Sequence, residues 1–370
     1  MKKTLLITLD FPPQIGGVAN YYFNLCQNLD KDKIVVLTQK STEQNFSFKV
    51  YYQNLLAKLL PKFKWLIMIS KIKTIARQEK IAMLWAGEIL PTGTAVMFVA
   101  KRLKIPYIVS CHGNDILQAS RFKNKTKLAV KILKNAQTIT ANSAYTKKLI
   151  IKLGIKADKI KVIYPGIEIK PSVGSGHRPD LVNNLQTKYN LADKKILLSV
   201  GRLVPRKGFD KVIASLSKVW EKFPDLIYII AGDGPDRSRL EELIGESNNI
   251  IFLGQITEED KNALLDLCDI FITPARQTDD DVEGFGIVYL EAGQFSKPVI
   301  AGNVGGAPEA VLNNQTGLLV NPENTVEISE AIIKLLKNED LRIELGKAGQ
   351  ERSKDFHWQD KAEELAKILS

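Results

Sequence analysis

Short runs of Val, Ile and Leu recur along this chain, and each is separated from the next by a longer stretch with helical patterning. That alternation limits the fold more than any other feature, because it calls for parallel strands covered by helices. In the first half the strand-like runs are 4–9, 34–37, 81–85, 107–110, 138–141 and 160–163, with helical patterns such as 19–29, 92–103, 125–133 and 144–153 between them. The texture then breaks over 170–194, where Pro171, Gly174, Gly176, Pro179 and Asn183-Asn184 read as a linker with one short helix. A second alternating set follows at 196–200, 226–231, 250–253, 270–273, 299–301 and 317–320, and the chain reads as mainly helical from Thr325 onward. The expectation is an α/β protein of two doubly wound, Rossmann-like domains facing across a cleft. Residues 1–168 form the first domain, 169–194 the linker and 195–354 the second. Ligands of such sheets bind beyond the carboxyl ends of the strands.

Composition narrows the class. With 45% hydrophobic and 25% charged residues, the 370-residue chain is neither disordered nor fibrous. A net charge of +11 favours an anionic partner: nucleic acid, an acidic membrane surface or a phosphorylated ligand. Cys26, Cys111 and Cys268 are far apart and lack metal-ligand spacing, which fits buried thiols in a reducing compartment. Lys2 and Lys3 precede an apolar run, but it is short and ends at Asp10 with no cleavage site after it, so it reads as a buried first strand. No run approaches the roughly 20 apolar residues of a membrane span. The expected location is cytoplasmic, or peripheral on the inner face of the cell membrane.

The richest stretch runs from Val282 to Ala292. Glu283 closes a loop, Gly284 and Gly286 let backbone approach a ligand, and Ile287 starts a helix whose free amides attract phosphate. Glu291 lies about a turn further in, roughly 8–12 Å from Glu283 at about 1.5 Å per residue. A carboxylate on either side of a phosphate turn suits a nucleotide sugar. Gly201, Arg202 and Lys207 follow a strand directly, and two cations converging on a diphosphate contribute roughly 1.5–3 kcal/mol each. Gly16 and Gly17 open a helix after the first strand, behind Pro12-Pro13, and suit either a phosphate contact or a tight turn. His112 stands at the end of another strand, where it suits a sugar hydroxyl or a structural role.

Other motifs are weaker. Gly232-Asp233-Gly234-Pro235 lacks the third glycine of a dinucleotide fingerprint and reads as a strand-to-helix turn. Asp279-Asp280-Asp281 offers carboxylates to a divalent metal, but no histidine accompanies them, and a solvated loop fits better. Gly302 to Glu309 suits a loop entering a helix, structural or ligand-facing. Residues 51–80 interleave Lys58, Lys62, Lys64, Lys71, Lys73, Arg77 and Lys80 with leucines and Trp65. Split by Pro61, the stretch reads as two basic amphipathic helices, suited to an anionic membrane interface or to core packing with a solvated basic face.

The order Gly-Gly, His, Gly-Arg with a following Lys, and Glu-x7-Glu resembles the retaining glycosyltransferases of family 4, which adopt the GT-B fold. The resemblance covers nearly the whole chain and looks most like bacterial GDP-mannose-dependent phosphatidylinositol-mannoside mannosyltransferases. It implies that Arg202 and Lys207 bind the donor diphosphate, that Glu283 contacts the transferred sugar and that Glu291 contacts the ribose. Amides around Phe285, Gly286 and Ile287 would meet the sugar or phosphate. Gly16 and Gly17 would admit the diphosphate, and His112 would bind the donor sugar near the reaction centre. The resemblance further implies no metal or other cofactor, and a last helix, 355–370, that returns to the first domain. Expected partners are a nucleotide-sugar donor, a glycan or glycolipid acceptor and an anionic membrane surface touched through 51–80, with no nucleic acid. Two rivals stay open: a nucleotide-sugar epimerase of the same architecture, and a non-catalytic basic protein that binds membranes.

Overall fold

The computed structural model describes residues 1–14, 16–56, 65–168, 179–245, 247–279 and 281–370. The chain divides into two compact units, Met1–Gly166 with Phe356–Ser370, and Ile167–Asp355. The first unit is built on seven parallel strands, β1 (Thr4–Ile7), β2 (Ile34–Gln39), β3 (Lys49–Gln53), β4 (Met83–Ala86), β5 (Tyr107–Cys111), β6 (Thr138–Ala141) and β7 (Ile160–Val162). Their order is 3-2-1-4-5-6-7. Between them run α1 (Gly17–Asn28), α2 (Leu66–Gln78), α3 (Thr92–Leu103), α4 (Asn114–Ser120), α5 (Lys123–Asn135) and α6 (Ala144–Lys152).

The second unit opens with α7 (Pro179–Lys188) and carries six parallel strands, β8 (Ile196–Val200), β9 (Ile227–Ala231), β10 (Ile250–Gly254), β11 (Ile270–Thr273), β12 (Val299–Gly302) and β13 (Gly317–Val320), ordered 10-9-8-11-12-13. Its helices are α8 (Phe209–Trp220), α9 (Arg237–Ile244), α10 (Glu258–Leu267), α11 (Ile287–Gln294), α12 (Ala307–Ala310), α13 (Thr325–Lys337) and α14 (Glu339–Ser353). The last helix, α15 (Trp358–Ile368), belongs to the first unit, where Leu369 C=O accepts from Lys2 N–H at 2.7 Å.

The inner strands, such as β1, β4, β5, β9 and β11, are buried on both faces, as parallel strands flanked by helices must be. In β1, Leu5 and Ile7 join Val35, Leu84 and the inner side of α2, while Leu6 joins Val36, Trp85 and α1 on the opposite face. The alternation read from the sequence is therefore the fold's organising feature, and the α/β class follows from it. One expectation is corrected. Residues 51–53 do not open a helix but complete β3, because Phe48 and Val50 pack into one core and Tyr51 into the other, a period of two. The helix of this region begins at Leu66, and its Met68, Ile72, Ile75 and Ala76 are buried. Lys58, Leu59, Leu60, Pro61, Lys62 and Lys64, with the expected split at Pro61, lie outside the described residues. So do linker residues 169–178. Among the described residues no helix is long and apolar enough to cross a membrane.

Charge is shared unevenly. The first unit holds 30 Lys and Arg against 11 Asp and Glu, net +19; the second holds 22 against 30, net −8. Residues 89–157 contain 13 Lys and Arg and a single acid, Asp115. The helices of this stretch, α3, α4, α5 and α6, pack their apolar sides into the same core, beside α2.

Candidate functional site

Each sheet reverses its strand order once, between β1 and β4 in the first unit and between β8 and β11 in the second. Loops diverge at the carboxyl ends of such a pair and leave room for a ligand. In the second unit, β8 runs through Gly201 and Arg202 into a 3-10 turn, Pro205–Lys207, before Gly208 adopts a left-handed backbone and α8 begins. After β11 the chain loops from Pro274 to Gly286 and enters α11. Arg276 N–H donates to Arg206 C=O at 2.7 Å and ties the two loops together.

Their side chains meet at Glu283. Its Oε2 accepts from Lys207 Nζ at 2.5 Å and from Arg206 Nη1 at 2.7 Å, while Arg206 Nε donates to Asp281 Oδ2 at 2.8 Å. The Lys207 side chain is 10% exposed and that of Glu283 12%. Burial by itself would raise the Glu283 carboxyl, but the Arg206 and Lys207 charges outweigh it and hold the group well below the usual carboxylate range. The result is a cluster of two cations and two carboxylates, its Lys207–Glu283 pair nearly buried, at the point where strand order reverses.

Backbone packing makes this loop possible. Gly286 has φ 93°, and a Cβ there would lie 2.3 Å from the Tyr289 ring, whose hydroxyl donates to Thr273 C=O at 2.8 Å. Gly306 N–H donates to Glu283 C=O at 2.9 Å, and a Cβ on Gly306 would meet Gly284 C=O at 2.0 Å. The glycines of 302–309 therefore press directly on the Glu283 loop, which is the structural one of their two readings. Phe285 is 2% exposed and anchors the loop, and Ile287 is the first residue of α11.

Glu291 lies in the last turns of α11, and its Oε1 accepts from Lys261 Nζ at 2.9 Å. Lys261 sits in the first turn of α10, which is fixed by a capping box between Thr257 and Asp260. Arg202 is exposed and makes no hydrogen bond or ion pair among the described residues, so the cation beside Lys207 is Arg206. The spacing favoured Arg202 because it follows the strand's glycine. Arg206 was visible only as a neighbour of Lys207, since its partner Glu283 is 77 positions away. Asp281 is engaged by Arg206, Asp280 lies outside the described residues, and the described residues contain no group of three potential metal ligands.

In the first unit, Gly16 precedes α1 with extended backbone and Gly17 is the helix's first residue. Both are exposed, and a Cβ on either would meet nothing of the chain within 4 Å, so packing does not demand glycine there. Ile15, between Gln14 and this pair, lies outside the described residues. His112 directly follows β5. Its Nε2 is 2.6 Å from the Tyr22 hydroxyl, and the Tyr21 and Tyr22 rings stand edge-on to it at 5.1 and 5.3 Å. Its backbone N–H donates to Asp115 Oδ1 at 2.9 Å. Burial lowers the imidazole to about 4.

An acid beyond the sequence candidates stands at the reversal point between β1 and β4. Glu88 accepts from the Thr8 hydroxyl at 2.8 Å, the Leu9 N–H at 3.0 Å and the Thr92 hydroxyl at 2.8 Å. Burial raises its carboxyl to about 7 despite these donors. A single acid in the otherwise uncharged stretch 81–100 was the signal that marked it.

Comparison with known proteins follows the same division. Residues 15–170 match the sequence profile of Glycosyltransferase Family 4, and residues 183–352 that of Glycosyl transferases group 1. The chain is 31% identical to the GDP-mannose-dependent monoacylated alpha-(1-6)-phosphatidylinositol monomannoside mannosyltransferase of Corynebacterium glutamicum, over 100% of this chain and 98% of that protein. It is 28% identical to the GDP-mannose-dependent alpha-(1-6)-phosphatidylinositol monomannoside mannosyltransferase of Mycolicibacterium smegmatis, over 99% and 98%. Among solved structures, Anabaena HepE in complex with UDP and glucose superposes with TM-score 0.82 at 21% identity, covering 100% of this chain and 99% of that one. Sucrose-phosphate synthase of Thermosynechococcus elongatus gives 0.83 at 22% identity, over 100% and 98%.

Proposed function

The chain belongs to the family 4 and group 1 glycosyltransferases of GT-B fold, and from that membership we propose that it moves mannose from GDP-mannose to a hydroxyl of a glycolipid acceptor with retained anomeric configuration. The observation that carries the reading is the buried Arg206–Lys207–Glu283 cluster at the second sheet's reversal point. A departing diphosphate gains negative charge, and preorganised cations in a desolvated site stabilise that charge far better than water does. Lys207 and Arg202 are assigned to the diphosphate, with the amides around Phe285, Gly286 and Ile287. Glu283 is assigned to the transferred sugar and Glu291 to the ribose. In the first unit, Gly16 and Gly17 are assigned to the diphosphate and His112 to the sugar.

These groups include no convincing nucleophile for a double displacement. Glu283 is held by two cations, so it orients a hydroxyl better than it attacks carbon. Reaction on one face through an oxocarbenium-like state fits, with cations in the place a metal would take. Mannose and GDP are favoured by the printed activities of the Corynebacterium and Mycolicibacterium relatives. The acceptor is read as lipid-linked because those relatives act on phosphatidylinositol mannosides, and because a first unit of net +19 suits an anionic bilayer. On that unit, Trp65 stacks on the half-exposed Phe98, and Phe122 is exposed among Arg121, Lys123 and Lys125, which extends the expected membrane surface beyond 51–80.

A thermal-shift screen of GDP- and UDP-sugars tests the donor. Ligand at 100 times Kd adds about 2.7 kcal/mol, so GDP-mannose is expected to raise the midpoint most. A larger rise with a UDP-sugar would overturn the GDP-mannose assignment. Incubating donor alone separates the epimerase rival, which would convert it without acceptor, and full activity in a chelator is expected of the metal-free reading.

A further inference from the structure

We infer that Tyr22 is a positioning residue that holds His112 as the tautomer protonated at Nε2, so that His112 meets its ligand through Nδ1 as a hydrogen-bond acceptor. The Tyr22 hydroxyl carries one proton and donates it to Gly87 C=O, which can only accept. The same hydroxyl lies 2.6 Å from His112 Nε2, so the proton in that second bond comes from the imidazole. A neutral imidazole has one N–H, and if Nε2 carries it, Nδ1 presents a lone pair.

The surroundings keep this arrangement. Tyr22 is fully buried, with the Tyr21 and Trp85 rings each 5.4 Å from its own. Gly87, the acceptor, is fixed at the end of β4 by its own N–H, which donates to Ile7 C=O at 2.8 Å. Burial disfavours a second proton on the ring. Asp115 binds the His112 backbone N–H, and no hydrogen bond among the described residues engages Nδ1.

The consequence is chemical selectivity. A lone pair at Nδ1 accepts from a hydroxyl but repels a phosphate oxygen, which itself only accepts. His112 is thereby suited to a sugar hydroxyl and not to the diphosphate. This rests on the reading that the ligand is a nucleotide sugar.

Long-range nitrogen–proton NMR on protein labelled at its three histidines tests the tautomer directly, with the His112 signals identified by their loss in His112→Gln. At pH 7 the expected pattern is a neutral ring protonated at Nε2, unchanged down to pH 5. A ring protonated at Nδ1, or averaging between tautomers, would overturn the inference. In Tyr22→Phe the pattern is expected to average, with kcat down about tenfold and donor KM little changed. A Tyr22→Phe ring still locked at Nε2 would equally sink it. His112→Ala with unaltered kcat would instead reject the sugar contact in the proposed function and leave the tautomer assignment standing, so the two failures are distinguishable.

Discussion

The two units share a plan, a doubly wound parallel sheet with one reversal point, yet they handle charge in opposite ways. The unit of net +19 spreads its cations over exposed helix surfaces, Lys123, Lys125 and Lys127 on α5 among them. The unit of net −8 buries Lys207 and much of Arg206 against Glu283. The cations proposed for the diphosphate, Lys207 and Arg202, belong to the unit with the unfavourable net charge. Solvated charges are screened within about 8–10 Å at physiological salt, whereas a desolvated pair a few Å from its target is screened much less. On the proposed reading, a point site for an anion is built from burial, and a surface site for a charged bilayer from number.

That contrast can be broken most forcefully at Lys207. Lys207→Ala is expected to lower kcat by about 10²–10³ while Arg206 still holds Glu283, measured in steady state with GDP-mannose. A variant as fast as its parent would remove the diphosphate assignment. Next comes Lys261→Ala, which leaves Glu291 without its partner; donor KM should rise about tenfold with kcat nearly unchanged.

The surface half of the contrast predicts smaller, graded effects. Lys125→Gln should weaken sedimentation with anionic vesicles about fivefold, and high salt should weaken the parent likewise. Lys207→Ala should bind vesicles as the parent does. Equal binding to neutral and anionic vesicles would dissolve the distinction between the units.

The smallest effect concerns stability. The folded Glu88 carboxyl titrates at about 7 against an ordinary 4.5, so between these values the folded chain holds a proton that the unfolded chain has released. Stability from this group is therefore present below about 4.5 and falls as pH rises toward 7. Glu88→Gln removes that loss, and its thermal midpoint should exceed the parent's by a few degrees at pH 8 and match it near pH 5.

Much of the site could be read along the chain because its parts are local. Gly286 before a helical run, Glu291 one turn on and Lys207 after a strand each follow from spacing. That Arg206 reaches Glu283 could not be read in that way, because Arg202 and Arg206 follow the same strand and only the fold says which of them does so. Lys261 was equally hidden, since its link to Glu291 joins two helices 30 positions apart. Tyr51, Tyr52 and Gln53 fit either period in sequence, and packing on two cores decides for strand.

What the linear order determined was the architecture and the inventory of chemistry. Apolar runs at regular intervals impose parallel sheets whatever the details, and loops after strands carry the functional groups. What tertiary structure alone decided was partnership: Arg206 and Lys207 on Glu283, Lys261 on Glu291, Tyr22 on His112. Periodicity is a property of neighbours along the chain, whereas hydrogen bonds and ion pairs act over a few Å through space. Folding alone brings residues 30 to 90 positions apart within that range.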